Sequence, residues 1–161
     1  MKTEEYNQCV DDFSDGVYRF ILHHIHDEDS AKDIVQESFT KMWEKVNDIN
    51  YNKARSYLFT TAYHTMIDMI RKNKKQTRFD DIEYNQTADN KEYLGLKEII
   101  KNAVEKLPEI QKSVVLLRDY EGYSYEEIGK ITELNESQVK VYIYRARLFL
   151  KEYIGSIETV M

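Results

Sequence analysis

Residues 121–147, which read EGYSYEEIGKITELNESQVKVYIYRAR, carry the clearest structural signal in the chain. Ser124 stands three residues before Glu127, and this spacing is typical of a capping box at the start of a helix. Asn135 and Gln138 repeat the spacing and predict that a second helix begins after a short turn. We therefore predict a helix-turn-helix in this stretch.

The second of these helices has one apolar side and one mixed side. Its apolar residues recur at intervals of four, three and four, and they predict a buried face made of Val139, Ile143, Ala146 and Leu150. The residues on the opposite side are Ser137, Lys140, Val141, Tyr144, Arg145 and Leu148, with Arg147 on the flank. Lysine and arginine contact phosphates or guanine edges and apolar side chains contact thymine methyl groups, so this mixture is typical of a DNA-recognition helix. A solvated helix face with ordinary charges is the alternative interpretation.

Helical periodicity also dominates the rest of the chain. A box formed by Ser30 and Asp33 predicts the start of a helix over residues 30–48. A further helix is predicted from about residue 53 to residue 74, with an apolar stripe made of Leu58, Ala62, Met66 and Ile70. One proline, five glycines and the lack of any strand-period segment favour long helices. The polar stretch from about 76 to 90 reads as a flexible linker. We predict an all-α protein with two small helical domains, residues 1–76 and 94–161, joined by a linker over 77–93.

The distribution of charge gives a different answer from its total. The 161 residues carry a formal net charge of −6, which by itself argues against nucleic acid as a partner. Residues 49–79, however, hold 7 basic and 1 acidic residues, and residues 137–161 hold 4 and 2. Residues 1–48 and 80–136 each have a net charge of −7. Two basic segments therefore lie in acidic surroundings, and these two are the candidates for contact with DNA.

The basic helix from residue 53 combines two kinds of side chain that a single DNA strand requires. Tyr57, Thr60 and His64 lie on its polar side, and Arg71 and Lys72 follow near its end. Aromatic faces stack on unpaired bases and cations bind the backbone, so the helix predicts a single-strand-binding surface. Cations near a helix carboxy end also compensate the helix dipole, which is the structural alternative for the cluster. The acidic outer face of helix 30–48 either is solvated or docks a basic protein surface.

The sequence offers little support for an enzyme. His23, His24 and His26 form the only metal-like cluster, and we expect them to be solvent-facing histidines at a helix end. Cys9 is expected to be a small buried hydrophobe. No phosphate loop or nucleophile elbow is present, and no apolar run approaches the length of a membrane span. We predict a cytoplasmic protein with no catalytic residue, metal site or cofactor and no membrane insertion.

Read together, these segments resemble the extracytoplasmic-function group of bacterial RNA polymerase sigma factors. Residues 33–39, DIVQESF, followed by Trp43, resemble the region-two helix of that family. Residues 55–64, RSYLFTTAYH, and 67–72, IDMIRK, are similar to its promoter-melting segment. Residues 107–109 and 121–147 are similar to its region four. The resemblance covers nearly the whole chain outside the linker.

The resemblance implies three contact sets and a mechanism of binding without chemistry. Core RNA polymerase, through the clamp helices of its largest subunit and its flap, is the implied partner, and the residues implied to dock on the clamp helices are Asp33, Gln36 and Glu37. The residues implied to hold the opened −10 strand are Ser56, Tyr57, Thr60, His64, Arg71 and Lys72. The residues implied to read the −35 duplex are Lys140, Val141, Tyr144, Arg145 and Arg147. The linker is implied to thread the polymerase channel, and the existence of an anti-sigma partner is left open.

The chain departs from the family at three positions. The family often has a large aromatic residue where Ala54 stands, an asparagine where His64 stands and a serine where Val141 stands. The third departure implies a different −35 preference. The alternative function from another class is a stand-alone helix-turn-helix regulator, with an acidic protein-interaction domain, that binds duplex DNA as a dimer. Such a regulator needs no single-strand-binding segment, whereas residues 53–75 supply one.

Overall fold

The computed structural model describes the chain over residues 1–77 and 95–160, with side chains over 1–74 and 95–156, and all regular elements in these ranges are helical. The α-helices are α1 (Thr3–Ile25), α2 (Glu28–Glu44), α3 (Ala54–Thr77), α4 (Leu96–Glu105), α5 (Glu109–Val115), α6 (Tyr125–Thr132) and α7 (Glu136–Val160). A 3-10 turn over Tyr51–Lys53 leads into α3, and a π-helical turn over Leu116–Tyr120 extends α5. The all-α prediction is confirmed. The predicted linker over 77–93 lies outside the described residues, apart from Thr77, which belongs to α3.

Helices α1, α2 and α3 pack on one another and form an amino-terminal bundle. The buried stripe predicted for α3 is confirmed at Leu58, Ala62 and Met66, each of which is wholly buried. Cys9 of α1 is also wholly buried, as expected of a small hydrophobe. The bundle thus turns the apolar stripe of α3 inward and leaves its polar side facing outward.

The predicted start of α2 is wrong by a few residues. The helix begins at Glu28, because Asp27 takes the extended backbone of an N-cap residue, with φ −126° and ψ 116°. Ser30 already lies in the first turn, and its hydroxyl donates a hydrogen bond back to the Asp27 carboxylate instead of capping the helix. That hydrogen bond lowers the pKa of Asp27. The helix also ends at Glu44, short of the predicted residue 48.

The helix-turn-helix is built as its two capping boxes predict. Ser124 Oγ accepts from the Glu127 amide at 3.1 Å, and Glu127 Oε2 accepts from the Ser124 amide at 3.1 Å. The Asn135 and Gln138 pair makes the same reciprocal bonds at 2.8 and 3.0 Å. These four bonds satisfy amide groups that helix starts otherwise leave without partners. Each helix therefore begins at a position fixed by its own sequence.

Two glycines shape the approach to this motif and its turn. Gly122 has φ +76°, a left-handed backbone conformation that glycine adopts without a steric cost. Gly129, inside α6, lies against the chain that follows the helix, and a Cβ on it would stand 2.7 Å from the carbonyl oxygen of Leu134. The close approach of α6 to the turn therefore requires glycine at position 129.

The carboxy-terminal helices pack directly against the amino-terminal bundle. Helix α6 lies on α3, and the buried hydrophobic cluster runs continuously from Leu58 and Phe59 to Tyr123, Ile128 and Ile131. Phe59 and Tyr123 meet edge to face, with ring centroids 5.6 Å apart. The two halves of the chain therefore share a core in this structure.

Candidate nucleic-acid interface

Helix α7 presents the face that its sequence pattern predicted. Val139, Ile143 and Ala146 are buried and Leu150 is partly buried, whereas Val141 and Tyr144 are 45% and 68% exposed. Lys140 and Arg145 are exposed beside them. Lys140 Nζ lies 3.4 Å from the Glu136 carboxylate one turn earlier. This ion pair is exposed, so it restrains the Lys140 ammonium group only weakly. The face can therefore offer cations and apolar contacts together to a duplex groove.

The row of exposed apolar side chains on α7 continues past the residues predicted to contact DNA and includes Leu148, which the sequence pattern placed on the same side. Leu148 is 44% exposed and stands four and seven residues beyond Tyr144 and Val141. These spacings place the three side chains on one side of the helix. The exposed row extends one turn farther along α7 than the predicted contact set.

Arg147 on the flank is already held by another side chain. Its guanidinium makes two hydrogen bonds to Asp119, from Nη2 at 2.5 Å and from Nε at 3.3 Å. The Asp119 carboxylate raises the pKa of Arg147. Asp119 lies in the π-helical turn, 28 residues earlier, and no motif in the sequence signalled the pair. A phosphate that binds Arg147 would therefore share it with Asp119 or displace that carboxylate.

Part of α3 lies against α6, and the predicted base-contacting residues stand near this contact. Ser56, Thr60 and His64 follow one another at intervals of four, so they lie on one side of the helix, and each is partly buried. His64 Nε2 lies 3.8 Å from the carboxylate of Glu133, which ends α6. Tyr57 packs, half buried, against the hydrophobic core. The structure thus places Ser56, Thr60 and His64 on one side of α3, with His64 beside the end of α6.

The cations at the far end of α3 stand apart from these residues. Arg71 and Lys72 are exposed, and they lie about two turns beyond His64. The predicted −10 residues therefore form two groups: partly buried side chains in the first half of α3 and two exposed cations near its end.

Arg55, at the start of α3, joins the two halves of the chain. Its Nη2 donates to the backbone carbonyl of Glu121 at 2.8 Å and to Oε2 of the same residue at 3.0 Å. The guanidinium also lies over the Tyr123 ring, 4.4 Å from its centroid. Tyr123 is 3% exposed, and burial raises the pKa of its hydroxyl to about 12. The partners are 66 residues apart in sequence, so no local pattern predicted this contact.

The expectation of solvent-facing histidines is wrong for His24. Its side chain is wholly buried between the two halves, with Nε2 3.2 Å from Ser113 Oγ and Nδ1 3.2 Å from Glu109 Oε2. Burial lowers the pKa of His24 to about 3, and the nearby Lys112 acts in the same direction. His23 is partly buried and His26 is exposed. Within the described ranges, no three His, Cys, Asp or Glu side chains lie close enough together to hold a metal ion.

The predicted docking residues on α2 share an open surface. Asp33, Gln36 and Glu37 are all exposed, and Glu37 Oε1 lies 3.2 Å from Lys41 Nζ. A shallow groove of about 500 Å³ runs beside them between α1 and α2. Its wall is mainly apolar and includes Val10, Tyr18, Val35 and Phe39. An exposed polar rim beside an apolar groove can receive a protein surface.

Comparison with known proteins identifies these elements. The family model for Sigma-70 region 2 matches residues 9–76, and the model for Sigma-70, region 4 matches residues 97–150. RNA polymerase sigma factor SigV of Bacillus subtilis is 32% identical over 139 residues, which are 86% of this chain and 84% of SigV. The chain belongs to the extracytoplasmic-function sigma factors. A second relative, the sigma factor SigM of the same organism, is 26% identical over 86% of this chain and 88% of SigM.

A solved structure supports the same fold. The sigma factor RpoE of Bartonella quintana, solved in complex with the anti-sigma factor NepR, superposes with a TM-score of 0.79 at 22% identity. The match covers 95% of this chain and 98% of that one. As a member of this family, the chain described here binds core RNA polymerase and promoter DNA and directs transcription initiation. Within residues 1–77 and 95–160, none of its helices is long and apolar enough to cross a lipid bilayer.

Proposed function

We propose that the chain divides its work between residues 1–76, which bind core polymerase and the −10 element, and residues 94–161, which read the −35 element. The segment 77–93 serves as the linker between them. The protein acts in the cytoplasm and works by binding alone, with no chemical step of its own. The observation that carries this proposal is the occurrence of both family regions in order on one chain, each with an exposed polar face.

The polymerase contact is proposed on α2. Asp33, Gln36 and Glu37 are exposed on one side of the helix, and the amino-terminal 48 residues have a net charge of −7. An acidic surface of this kind favours a basic partner and steers its association. We assign the clamp helices of the largest polymerase subunit to this surface.

The −10 strand is proposed on α3. Ser56, Tyr57, Thr60 and His64 are assigned to unpaired bases, and the exposed Arg71 and Lys72 to phosphates. Unstacking costs a few kcal/mol per base, and stacking on side chains with backbone contacts offsets that cost. The sigma factor thereby holds the strands apart without catalysing a reaction.

The −35 duplex is proposed on α7. Lys140, Val141, Tyr144 and Arg145 form an exposed face suited to the major groove, and Arg147 lies at its edge. The isolated protein carries more acidic than basic residues, so its own affinity for DNA is expected to be weak. Promoter recognition therefore belongs to the assembled polymerase.

Reconstituted transcription tests the proposal. The purified protein is added to core polymerase on a library of promoter fragments, and run-off transcripts are sequenced. We expect transcripts that need both the protein and a shared pair of elements upstream of their start sites. Specific duplex binding by the free protein, with no transcript in the presence of core polymerase, would instead favour a stand-alone regulator.

A further inference from the structure

The irregular turn that follows α5 carries an acidic side chain to the flank of α7. Residues 116–120 are π-helical, and the Glu121 amide donates to the Leu116 carbonyl, five residues earlier, at 3.1 Å. Leu116 and Leu117 are buried and anchor the turn in the core, whereas Asp119 is exposed. Turns of this kind are rare and occur frequently at functional sites. Asp119 therefore projects from an anchored backbone beside the helix assigned to the −35 duplex.

Asp119 binds Arg147 along one edge of its guanidinium. The carboxylate accepts from Arg147 Nη2 at 2.5 Å and from Nε at 3.3 Å. An arginine has five N–H donors in a fixed plane, and this contact uses two of them. The edge formed by Nη1 and Nη2 keeps one donor on each nitrogen, directed away from Asp119. The Arg147 side chain is 48% exposed, so a second partner with two acceptors can reach this edge.

The position of Arg147 on α7 turns it toward the proposed −35 surface. Arg147 follows Tyr144 by three residues and Lys140 by seven, so the three side chains lie on one side of the helix. Tyr144 and Lys140 are both exposed. A major groove that receives these two side chains therefore also faces Arg147.

The charge of the pair favours a base edge over a phosphate. Asp119 neutralises Arg147, and the carboxylate repels a phosphate that approaches the pair. A guanine is uncharged, and its O6 and N7 atoms present two acceptors that match two donors on one edge of an arginine. This match requires a guanidinium held in a fixed plane, and a carboxylate bound to its other edge supplies that restraint.

We propose that Asp119 is a positioning residue for −35 recognition, which fixes Arg147 so that the Nη1–Nη2 edge reads a guanine in the major groove. Asp119 lies outside α7 and, in this role, determines base preference through Arg147 without touching DNA itself. The proposal rests on the assignment of α7 to the −35 duplex.

Promoter fragments with single substitutions test this role. Holoenzyme is reconstituted from core polymerase and the full chain, and its binding is measured on a promoter recovered by reconstituted transcription, with each −35 base pair replaced in turn. Replacement of the G·C pair that Arg147 contacts should weaken binding by the native protein roughly five- to hundredfold. Arg147→Ala should abolish this preference, and Asp119→Ala should reduce it by roughly threefold or more at the same pair only. A loss spread evenly over all pairs, or an undiminished preference in Asp119→Ala, overturns the proposal.

Glu136→Ala is the matched control for the change of charge. Glu136 is exposed on α7 and lies 3.4 Å from Lys140, so its replacement also removes a carboxylate beside a cation assigned to DNA. Lysine is a point charge whose donors need no fixed plane, so we expect Glu136→Ala to leave the guanine preference unchanged. If Glu136→Ala reduces the preference as much as Asp119→Ala, the effect is one of charge and the positioning role is refuted.

Other variants of α7 separate this proposal from the assignment of the −35 duplex. Lys140→Ala and Arg145→Ala should weaken promoter binding if α7 reads that element. If neither they nor Arg147→Ala has any effect, the assignment has failed and the positioning role fails with it. If they weaken binding while the preference at every G·C pair survives Arg147→Ala, the assignment stands and only the role of Asp119 is refuted.

Discussion

The turn between α6 and α7 depends on the missing side chain of Gly129. A Cβ at this position would lie 2.7 Å from the Leu134 carbonyl oxygen, which is closer than such atoms approach in proteins. The neighbouring group is backbone, so no side-chain rotation relieves the contact. The Leu134 amide also donates to the Gly129 carbonyl at 3.1 Å, and the Glu133 amide donates to the same oxygen. Any shift of Leu134 away from position 129 therefore strains the bonds that end α6.

We expect Gly129→Ala to destabilise the protein despite the better helix propensity of alanine. Overpacking of this kind costs about 1–3 kcal/mol. Alanine in place of a helical glycine returns about 1 kcal/mol. The net loss in the free energy of unfolding is therefore expected to be about 0–2 kcal/mol, and its sign alone is a weak test.

Gly155→Ala provides the matched control that isolates the steric cost. Gly155 also lies inside a helix, α7, but a Cβ there meets no atom within 4 Å. Both variants gain helix propensity, so the difference between them reports the clash, and we expect Gly129→Ala to be less stable by about 1–3 kcal/mol. Urea denaturation followed by circular dichroism measures this difference. Equal stability of the two variants would refute the steric argument for Gly129.

Three other predictions follow from the interfaces. As pH falls below about 6.5 the unfolded chain protonates His24 but the buried ring does not, so unfolding becomes easier by up to about 2 kcal/mol at pH 5. The Glu109 carboxylate beside His24 opposes this loss of stability, so about 2 kcal/mol is the largest loss expected. Urea denaturation at several pH values should show the loss in the native protein and not in His24→Gln. Arg145→Ala should cost about 1–3 kcal/mol at one −35 position if it contacts a guanine edge, or act equally across a promoter series if it contacts phosphate, and no loss anywhere would remove its DNA role. Glu37→Lys should weaken co-purification with core polymerase more than Glu44→Lys, which makes the same charge change on α2.

Local signals in the sequence predicted the local structure well. The capping pairs of α6 and α7 each depend on residues three positions apart, and their geometry is set by the helix start itself. The buried stripe of α3 follows from helical periodicity, which reports the side of a helix that avoids water. The start of α2 was harder to predict, because Asp27 and Ser30 are both good N-cap residues. Asp27 takes the N-cap position, and the Ser30 hydroxyl donates its hydrogen bond to the Asp27 carboxylate.

Periodicity does not report what a buried side packs against, so the contacts between the halves could not be predicted. Arg55 and Glu121 are 66 residues apart, and His24 and Ser113 are 89 residues apart. Each residue looks ordinary in its own segment: an arginine beside polar neighbours, a histidine near a helix end. The prediction of exposed histidines failed at His24 because only the arrival of α5 against α1 removes its side chain from water.

The uneven distribution of charge along the chain also favours contact between its two halves. The segment 49–79, with a net charge of +6, includes Arg55, and its partner Glu121 belongs to the segment 80–136, with a net charge of −7. The positive charge proposed to bind DNA thus also attracts the chain's own acidic half. Because that half is covalently attached, its effective concentration exceeds that of a free DNA strand, and weak contacts suffice to keep it in place.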